Sequence, residues 1–446
     1  MSDTIFALAS GRGASGVAVI RVSGPHALGS LRALSGKADI PFRSAILTEL
    51  TDNVSRETLD RALVLAFDSP RSYTGEHVVE YHVHGGGAVI RGVLESLSRF
   101  KNHRMAEPGE FTRRAFENGK MDLTEAEAIG DLIHAETALQ KEQALRQMGG
   151  ALADLYDGWR DRLLKILAYV EAELEFPDED LPVDILAAIR PQIERLSTDI
   201  AAHLSDNRRG ERLRSGVHIA VIGAPNAGKS SLVNALAQRD IAIVSDIAGT
   251  TRDVIEAHLD IAGYPVILSD TAGLRPDQLG EHGHDAIESE GIRRALEIAE
   301  NADIRIILYD GRHQTPDPHS RALEDHPNTL PVINKTEGGC KLVHPENPLQ
   351  ISVKENKGID ALLEKLTALI AASFNSSADT PVITRARHRA ALTACQESLQ
   401  RCLHAPLPEL TAEDLRLAIR DLGRITGRVD VEDLLDVVFR DFCIGK

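Results

Sequence analysis

The sequence predicts a multidomain α/β protein: an N-terminal α+β domain, a helical domain that is discontinuous in sequence, and a doubly wound α/β domain inserted into the helical one. Three observations lead to this fold class. The hydrophobic pattern changes from strand-like to helical near residue 118, and from residue 217 it alternates between the two. A Gly-rich phosphate-loop motif opens the alternating segment. The helical residues 382–446 are too few to form a core of their own.

The composition limits the class of protein. A chain of 446 residues, 43% hydrophobic and 26% charged, is not largely disordered, and its length suggests roughly two to four domains. The formal net charge of −17 disfavours general binding to nucleic acid or anionic membranes, so RNA would require a local basic patch or a partner. No apolar run approaches the ~20 residues that span a bilayer, and we expect no membrane association. Four cysteines without paired spacing and no export signal favour a cytoplasmic protein with free thiols.

Residues 1–117 are predicted to form the compact α+β domain. Runs rich in β-branched and aromatic residues predict strands at 17–22, 62–67 and 77–83. A helical pattern follows the third run at 87–98.

The helical domain is predicted in two parts, residues 118–213 and 377–446. In the first part we expect helices at 123–148 and 184–205, and between them one whose apolar positions recur every three or four residues from 152 to 174. The second part is expected to pack on the first, which would make the domain discontinuous.

Residues 214–376 are predicted to form the inserted α/β domain. Short apolar runs at 217–222, 265–270, 303–310 and 330–333 are typical of buried parallel strands. Helical patterns separate most of these runs, and such alternation predicts a doubly wound sheet.

Residues 223–230 read G-A-P-N-A-G-K-S and fit the phosphate-loop (P-loop) pattern between a predicted strand and a predicted helix. Glycines in such a loop let backbone N–H groups surround phosphates. Lys229 supplies a charge for the β- and γ-phosphates, and the Ser230 hydroxyl suits Mg²⁺. The loop therefore predicts nucleotide contacts from Asn226, Ala227, Gly228, Lys229, Ser230 and Ser231.

Further motifs agree with a GTP site. D-T-A-G at 270–273 follows a strand and can meet the Mg²⁺ shell, and G-T-T-R-D at 249–253 offers a Thr to a closing switch loop. N-K-T-E at 334–337 lies where translation-factor-class GTPases carry Asn-Lys-x-Asp, the guanine reader, and S-V-K at 352–354 resembles the element behind the base. Glu337 departs from the usual Asp, and its reach to guanine differs. These motifs add Thr250, Thr251, Asp270, Thr271, Ala272, Gly273, Asn334, Lys335, Glu337, Ser352, Val353 and Lys354 to the predicted site.

A catalytic glutamine is absent from the expected position. Ras-like GTPases place a water-positioning Gln directly after the Asp-x-x-Gly motif, but here the residue is Leu274. Arg252 and Arg275 are nearby in sequence, yet neither is an obvious arginine finger. Another group must therefore orient water and neutralise the charge of the transition state.

Motifs outside the nucleotide site extend the prediction to the whole chain. The first domain carries R-V-S-G at 21–24, T-G-E at 74–76 and P-G-E-F-T at 108–112, and the chain closes with F-C-I-G-K at 442–446. Together with D-I-A-G-T-T-R-D at 246–253, and in this order, the motifs resemble the MnmE (TrmE) family of tRNA modification GTPases.

The resemblance implies a reaction and its partners. The first domain is expected to be a tetrahydrofolate-binding-like dimerisation domain that binds 5-formyl- or 5,10-methylene-tetrahydrofolate as one-carbon donor. The inserted domain is expected to hydrolyse GTP with K⁺ stimulation and to dimerise across its nucleotide face. With the flavoprotein MnmG, in a heterotetramer, the protein would add a carboxymethylaminomethyl or aminomethyl group to C5 of the wobble uridine (U34) of tRNA.

The resemblance also assigns single residues at the nucleotide site. The implied K⁺ contacts are Asn226, Ser245, Ile247 and Thr250, and the implied Mg²⁺ ligands are Ser230 and Thr251. It adds Asp246, Ala248 and Gly249 to the nucleotide contacts. A monovalent cation there can replace an arginine finger electrostatically. Glu288 aligns with the family's Glu that orients the attacking water. The preceding residues 276–286 align loosely, so Glu290 is the alternative to Glu288 for this role.

The implied folate site comprises Arg21, Glu80, Lys120 and the terminal Lys446. A pterin offers donors to a carboxylate, and a polyglutamate tail offers carboxylates to Arg and Lys. Without the resemblance, the Arg and the Lys read as surface charges and Glu80 as a solvated strand residue. Cys443 is the candidate nucleophile, and the alternative is a small buried residue of a packed C-terminal helix.

Two further features leave alternatives open. His82 and His84 are two imidazoles without a third metal ligand, so we expect them to be ordinary residues of a strand or turn rather than a metal site. The Arg-rich runs at 208–214 and 385–389 can bind tRNA phosphate or can be solvated hinge charges.

Two other functions compete with tRNA modification. One is an Era- or Der-like GTPase of ribosome assembly, and the other is a regulatory dimer scaffold that gates a partner by its GTP state. Folate binding by residues 1–117 would favour tRNA modification over both of these alternatives. The sequence leaves open which tRNAs are modified, which one-carbon folate is the donor, and the stoichiometry with the partner.

Overall fold

The computed structural model describes residues 3–11, 13–175, 185–239, 241, 243, 255–270, 297–316, 318–321, 324–344, 348–374, 381–429, 432–440 and 442–445. The chain forms two compact units. Unit 1 comprises Met1–Gly130, Gln147–Ile193 and Glu397–Lys446, and unit 2 comprises Asp131–Arg146 and Glu194–Gln396.

Within the described parts of the chain, the strands fall into two sheets of six strands each. The first sheet contains β1 (Thr4–Leu8), β2 (Ala18–Ser23), β3 (Ile46–Thr51), β4 (Thr58–Phe67), β5 (Val78–Val83) and β6 (His103–Met105). The second contains β7 (Val217–Ile222), β8 (Ile255–Ile261), β9 (Tyr264–Asp270), β10 (Ile304–Asp310), β11 (Thr329–Asn334) and β12 (Leu349–Gln350).

The helices are α1 (Ala27–Ser35), α2 (Gly87–Ser98), α3 (Glu110–Glu117), α4 (Leu123–Ile133), α5 (Ala138–Met148), α6 (Ala151–Glu175), α7 (Ile185–Leu204), α8 (Arg209–Ser215), α9 (Lys229–Ala237), α10 (Pro318–Arg321), α11 (Ile359–Phe374), α12 (Ala386–His404), α13 (Pro408–Thr426) and α14 (Glu432–Arg440). Among the described residues, none of them combines the length and the apolar character needed to cross a bilayer.

The first sheet, in unit 1, has the order β3-β4-β5-β2-β1-β6 and is antiparallel except between β1 and β6. Helices α1 and α2 bury Leu31 and Leu97 against one face. On the other face, Phe111 of α3 packs with Ile5 and Ala7 of β1. The two faces are distinct because successive strand residues point to opposite sides. The predicted α+β domain is confirmed, although its pattern did not predict β1, β3 and β6.

The C-terminal helices complete unit 1. Helix α13 packs along α6, where Leu163, Val170, Leu415 and Leu422 are buried. Helix α14 packs beside α3 and α4, and Phe439 and other apolar residues fill the contact. The expectation that the C-terminal helices pack on the first helical part is confirmed.

The predicted single helix at 123–148 is wrong, because α4 ends at Ile133 and α5 begins at Ala138. Thr137 and Gln140 form a reciprocal cap at the new start. The backbone N–H of Thr137 donates to the Gln140 side chain at 3.1 Å, and the backbone N–H of Gln140 donates to the Thr137 hydroxyl at 3.4 Å. This capping box satisfies N–H groups that a new first turn leaves unpaired, and it therefore starts a second helix.

The second sheet, in unit 2, has the order β12-β11-β10-β7-β9-β8. Neighbouring strands are parallel except β8, which is antiparallel to β9. A tight turn at Ala262 and Gly263, with φ of 53° and 89°, joins this pair. The hydrophobic pattern of the sequence did not predict β8, because polar residues alternate with apolar ones in this strand, as is usual for an edge strand.

Both faces of the second sheet are covered. Val221 packs with Leu232 of α9 and Leu362 of α11 on one face. Ala220 and Ile222 pack with the helical residue Ala299 and with Ala302, which lies just after that helical segment, on the other. The doubly wound fold of this domain is thereby confirmed.

Candidate functional site

Those predicted nucleotide residues of unit 2 that the structure describes meet at the carboxyl edge of its parallel strands. The P-loop follows β7 directly, and Val221 near the end of β7 lies opposite Asp270, the last residue of β9. Asp310 and Asn334 end β10 and β11 and lie opposite each other. In doubly wound sheets this edge is where ligands bind.

Close packing explains the glycines of the P-loop. A Cβ atom at Gly223 would lie 2.3 Å from the carbonyl oxygen of Leu308, and one at Gly228 would lie 2.4 Å from the Asn334 side-chain nitrogen. Gly228 also has a φ of 103°, which side chains disfavour, and it caps the start of α9. The loop thus places its backbone N–H groups at the positive end of a helix, an arrangement that binds phosphates.

The side chains of the P-loop divide into one buried cation and several exposed polar groups. Lys229 is buried, and its ammonium donates to the carbonyl oxygens of Gly223 at 2.7 Å and Ala224 at 3.0 Å. Ser230 is exposed at the start of α9, and Asn226 is exposed with a φ of 62°. The buried ammonium lies within the loop, and the exposed groups can reach bound cations.

Asn334 joins the P-loop to the loop that contains residues 352–354. Its side chain is buried, and its amide nitrogen donates to the carbonyl oxygen of Ala227 at 3.0 Å. Its amide oxygen accepts from the backbone N–H of Val353 at 3.1 Å. One side chain therefore sets the spacing between the phosphate side and the base side of the site.

Glu337, the residue that departs from the usual Asp, is exposed and held by a hydroxyl. Its Oε2 accepts from Ser352 Oγ at 2.8 Å, and Ser352 Oγ accepts in turn from the backbone N–H of Glu355 at 3.2 Å. Its own backbone N–H and then the Ser352 hydroxyl lower the pKa of Glu337. The carboxylate is thus ionised at neutral pH and available to N–H donors.

Asp310 and Arg312 were not predicted from the sequence, yet they belong to this edge. Asp310 accepts from Lys335 Nζ at 3.0 Å, and the same ammonium contacts the carbonyl oxygen of Asn226. The guanidinium of Arg312, followed by Lys335, lowers the pKa of Asp310. The position of Asp310 at the end of a predicted parallel strand is the sequence signal that could have indicated a role at this edge.

Several predicted residues lie outside the described residues. These are Ser245, Asp246, Ile247, Ala248, Gly249, Thr250, Thr251, Thr271, Ala272, Gly273, Glu288 and Lys446.

Arg21 and Glu80, from the implied folate site in unit 1, form a cross-strand ion pair. They lie opposite each other on β2 and β5, and Arg21 Nε and Nη2 each lie 3.0 Å from Glu80 Oε1. The guanidinium of Arg21 lies over the rings of Tyr73, at 5.2 Å, and Phe111, at 5.7 Å. Both side chains are mostly buried, so neither is the solvated surface charge that the strand pattern allowed. The two rings were not predicted from the sequence.

The end of the chain returns to this ion pair. The carbonyl oxygen of Gly445 lies 3.5 Å from Arg21 Nη1. Ile444 pairs with Pro108, and the Cys443 carbonyl oxygen accepts from the backbone N–H of Gly109 at 3.4 Å. A Cβ atom at residue 445 would lie 2.2 Å from the carbonyl oxygen of Leu8, which explains a glycine there.

Cys443 is an exposed free thiol that follows α14. The alternative that it is a buried residue of a packed helix is therefore wrong. The other three cysteines are also free, as the spacing predicted. The thiol stands next to residues that hold the chain end, and its nucleophilic role stays a prediction.

Lys120 and His84, two further candidates of unit 1, have ordinary partners. Lys120 Nζ donates to the carbonyl oxygen of Pro70 at 3.1 Å and is exposed. His84 Nδ1 lies 2.8 Å from Asp60 Oδ1, and His82 lies beside Glu80. Among the described residues, no three His, Cys, Asp or Glu side chains form a metal cluster.

Three arginines of the Arg-rich runs in unit 2 form ion pairs with carboxylates. Arg389 contacts Asp206 and Glu211 at 2.6 and 2.9 Å. Arg214 and Arg385 each lie 2.8 Å from Oδ1 of a shared acidic residue, Asp131. The sequence left solvated hinge charges and binding to tRNA phosphate open; the ion pairs show that these three arginines are not free solvated charges, and binding to tRNA phosphate stays a prediction.

Comparisons with known proteins cover the whole chain. The family described as MnmE helical domain matches residues 123–443, and the family described as GTP-binding protein TrmE N-terminus matches residues 4–120. A protein of Parvibaculum lavamentivorans named tRNA modification GTPase MnmE is 54% identical over 449 residues, with 100% of both chains covered. A protein of the same name from Rhodospirillum rubrum is 48% identical over 463 residues, with 100% of this chain and 99% of the relative covered.

Proposed function

The chain belongs to the MnmE family of tRNA modification GTPases, and from this premise we propose that it couples GTP hydrolysis to modification of C5 of the wobble uridine, U34, in tRNA. The product would carry a carboxymethylaminomethyl or aminomethyl group. The observation that carries the proposal is the meeting of Arg21, Glu80 and the C-terminal Gly445 in unit 1. A GTPase that acted only as a switch in ribosome assembly would have no use for this second site.

In the GTP site, the described residues account for binding of base and phosphate. Asn334 and Glu337 would read guanine, and Lys229 would bind the β- and γ-phosphates. The exposed Ser230 hydroxyl fits a hard cation that prefers oxygen ligands. We propose that Ser230 and Thr251 hold Mg²⁺.

We propose that Asn226, Ser245, Ile247 and Thr250 hold K⁺. Of these, Asn226 is described, and its exposed amide suits an oxygen-liganded cation. The bound cations would supply positive charge where the transition state develops negative charge. Glu288 would orient the attacking water, because Leu274 offers no polar group.

The residues at the second site fit a folate. Glu80 Oε1 is engaged by Arg21, and Glu80 Oε2 can accept from the N–H groups of a pterin ring. Tyr73 and Phe111 provide flat apolar surfaces beside this carboxylate. Arg21, Glu80, Lys120 and Lys446 are proposed to hold a 5-formyl- or 5,10-methylene-tetrahydrofolate as one-carbon donor. The exposed thiol of Cys443 is the proposed nucleophile.

The proposed partners are a second copy of the chain, the flavoprotein MnmG and tRNA, in the cytoplasm. Residues 1–117 would form the homodimer, and MnmG would join it in a heterotetramer. A net charge of −17 opposes general binding to RNA, so MnmG or a local cationic surface would bring the tRNA.

Two measurements test the proposal. Cells that lack the protein should lose the C5 group from U34, as read by mass spectrometry of digested tRNA. The purified chain should bind 5-formyl-tetrahydrofolate in calorimetry, and Glu80→Gln should abolish this binding, whereas Glu49→Gln on edge strand β3 should not. Unchanged U34 together with no folate binding would favour the Era- or Der-like alternative.

The proposed K⁺ site has a separate test. GTP turnover should be measured in matched chlorides of K⁺ and Na⁺, with Asn226→Ala beside the unaltered chain. Turnover should be fast in K⁺ only and slow in Asn226→Ala, with little change in GTP affinity. Equal turnover in the two salts would refute the site.

A further inference from the structure

His82 is a polar residue of the second site that the proposed function does not use. It lies two positions after Glu80 on β5, and residues with this spacing share one face of a strand. Its side chain is 30% exposed, yet its Nε2 atom is buried and has no hydrogen-bond partner among the described residues. Buried polar atoms of this kind are uncommon and call for an explanation.

The unpartnered nitrogen faces the free oxygen of Glu80. Oε1 of Glu80 is taken by Arg21, while Oε2 lies 3.6 Å from His82 Nε2. This separation is too long for a hydrogen bond. One acceptor and one ring nitrogen therefore stand side by side without satisfying each other.

The strands on both sides of His82 place apolar side chains next to it. Val19 on β2 and Leu63 on β4 are its cross-strand neighbours. Leu63 is 45% exposed, and Leu47 opposite it on β3 is 51% exposed. An apolar surface with a polar pair at its margin suits a flat heterocycle whose hydrogen-bonding groups lie along one edge.

We propose that His82 is a further ligand-binding residue of the folate site and reads the pterin ring together with Glu80. This inference rests on the proposed function. The edge of a pterin presents N–H donors next to a carbonyl oxygen. Glu80 Oε2 accepts from the donors, and His82, in the tautomer protonated at Nε2 and with its ring turned so that this buried nitrogen meets the ligand, donates to the carbonyl oxygen. Arg21 does not replace this donor, because its guanidinium is engaged by Glu80 and lies over the two rings.

The proposal is tested by calorimetric titration of the full-length protein with 5-formyl-tetrahydrofolate. His82→Phe keeps a ring but removes the nitrogen, and it should weaken binding about ten-fold, the usual effect of leaving one polar partner unsatisfied. His82→Gln retains an N–H donor and should bind within about three-fold of the unaltered chain. His84→Ala is the matched control, because His84 already pairs with Asp60.

A second ligand separates pterin recognition from a general effect on the fold. p-Aminobenzoylglutamate lacks the pterin ring, and its affinity should be the same for the unaltered chain and for His82→Phe. Full affinity of His82→Phe for 5-formyl-tetrahydrofolate would overturn the inference, and so would an equal loss for both ligands. If the unaltered chain binds no folate, the proposed function itself fails, and that outcome is distinct from the other two.

Discussion

Glu337 departs from the usual Asp of the predicted guanine-reading motif, and a neighbouring hydroxyl holds its longer side chain. A Glu side chain is one methylene longer than the usual Asp, and its carboxylate can adopt more positions. In unit 2 the hydroxyl of Ser352 holds this carboxylate at 2.8 Å. The extra length is thus constrained by a hydrogen bond, which explains why guanine reading is expected to survive.

We expect Glu337→Ala to weaken GTP binding about ten-fold or more while leaving ATP binding unchanged, because only guanine offers N–H donors to this carboxylate. Titration with fluorescent GTP and ATP analogues measures both affinities. Glu355→Ala is the control, since Glu355 lies nearby but pairs with Lys357 at 2.7 Å. Parallel losses for the two nucleotides would contradict a role in base reading.

His203 makes stability depend on pH. Burial lowers its pKa from 6.5 to about 4, an effect that Asp206 opposes and that Arg389 and His388 reinforce. Since the folded state disfavours the charged form, the stabilisation is complete above pH 6.5 and is lost as the pH falls towards 4. A pKa shift of this size contributes about 3 kcal/mol to the free energy of unfolding.

We therefore expect His203→Gln to flatten the pH dependence of thermal unfolding between pH 6.5 and 4. Scanning calorimetry without nucleotide should follow the transition of unit 2 at several pH values. His218→Gln, at an exposed position on β7, should keep the original dependence. An unaltered slope in His203→Gln would show that other groups control acid unfolding.

At the scale of elements, contact between the P-loop and β10 makes Gly223 sensitive to any side chain. The first atom that a Cβ at Gly223 would meet is a backbone oxygen at 2.3 Å, which cannot move without displacing the strand. We expect Gly223→Ala to lower the stability of unit 2 by about 1–3 kcal/mol and to abolish GTP binding. Gly338→Ala, where no atom lies within 4 Å of an added Cβ, should do neither.

The melting temperature of the nucleotide-free variants tests this prediction, because bound GTP would itself stabilise the fold. A variant Gly223→Ala with unchanged melting temperature and normal GTP affinity would show that the loop can shift freely. The two alanine variants differ in the room available to the added methyl group and in backbone conformation, since Gly223 has a φ of 158°.

At the scale of the whole molecule, Asp131 joins the two places where the chain enters and leaves the inserted domain. Arg214 lies just before β7 and Arg385 just before α12, and each donates to Asp131 Oδ1 at 2.8 Å. Helices α7 and α12 continue from unit 2 into unit 1. The ion pairs of Asp131 therefore join both covalent crossings within unit 2.

We expect Asp131→Asn to loosen both crossings, since it removes the charge that two arginines share. Amide hydrogen exchange should rise at residues 210–216 and 383–389. Asp360→Asn, an exposed residue paired with Arg239, is the control and should leave these segments unchanged. Unchanged exchange in Asp131→Asn would show that the carboxylate does not hold the crossings together.

What the sequence determined by itself was local. A P-loop between a strand and a helix, parallel-strand runs and helical periodicity are properties of short segments, and these predictions agree with the structure. The capping box of α5 was equally local and would have corrected the helix predicted at 123–148. The position of Glu337 after Asn334 and Lys335 also follows from spacing alone.

Only the tertiary structure decided which distant residues meet. Gly445 reaches Arg21 from the other end of the chain, His82 faces Glu80 Oε2, and Asp310 binds Lys335. Hydrophobic periodicity reports which face of an element is buried, but it carries no information on strand order, register or the partner across a sheet. These contacts depend on the path of the whole chain, and for that reason short segments of sequence do not predict them.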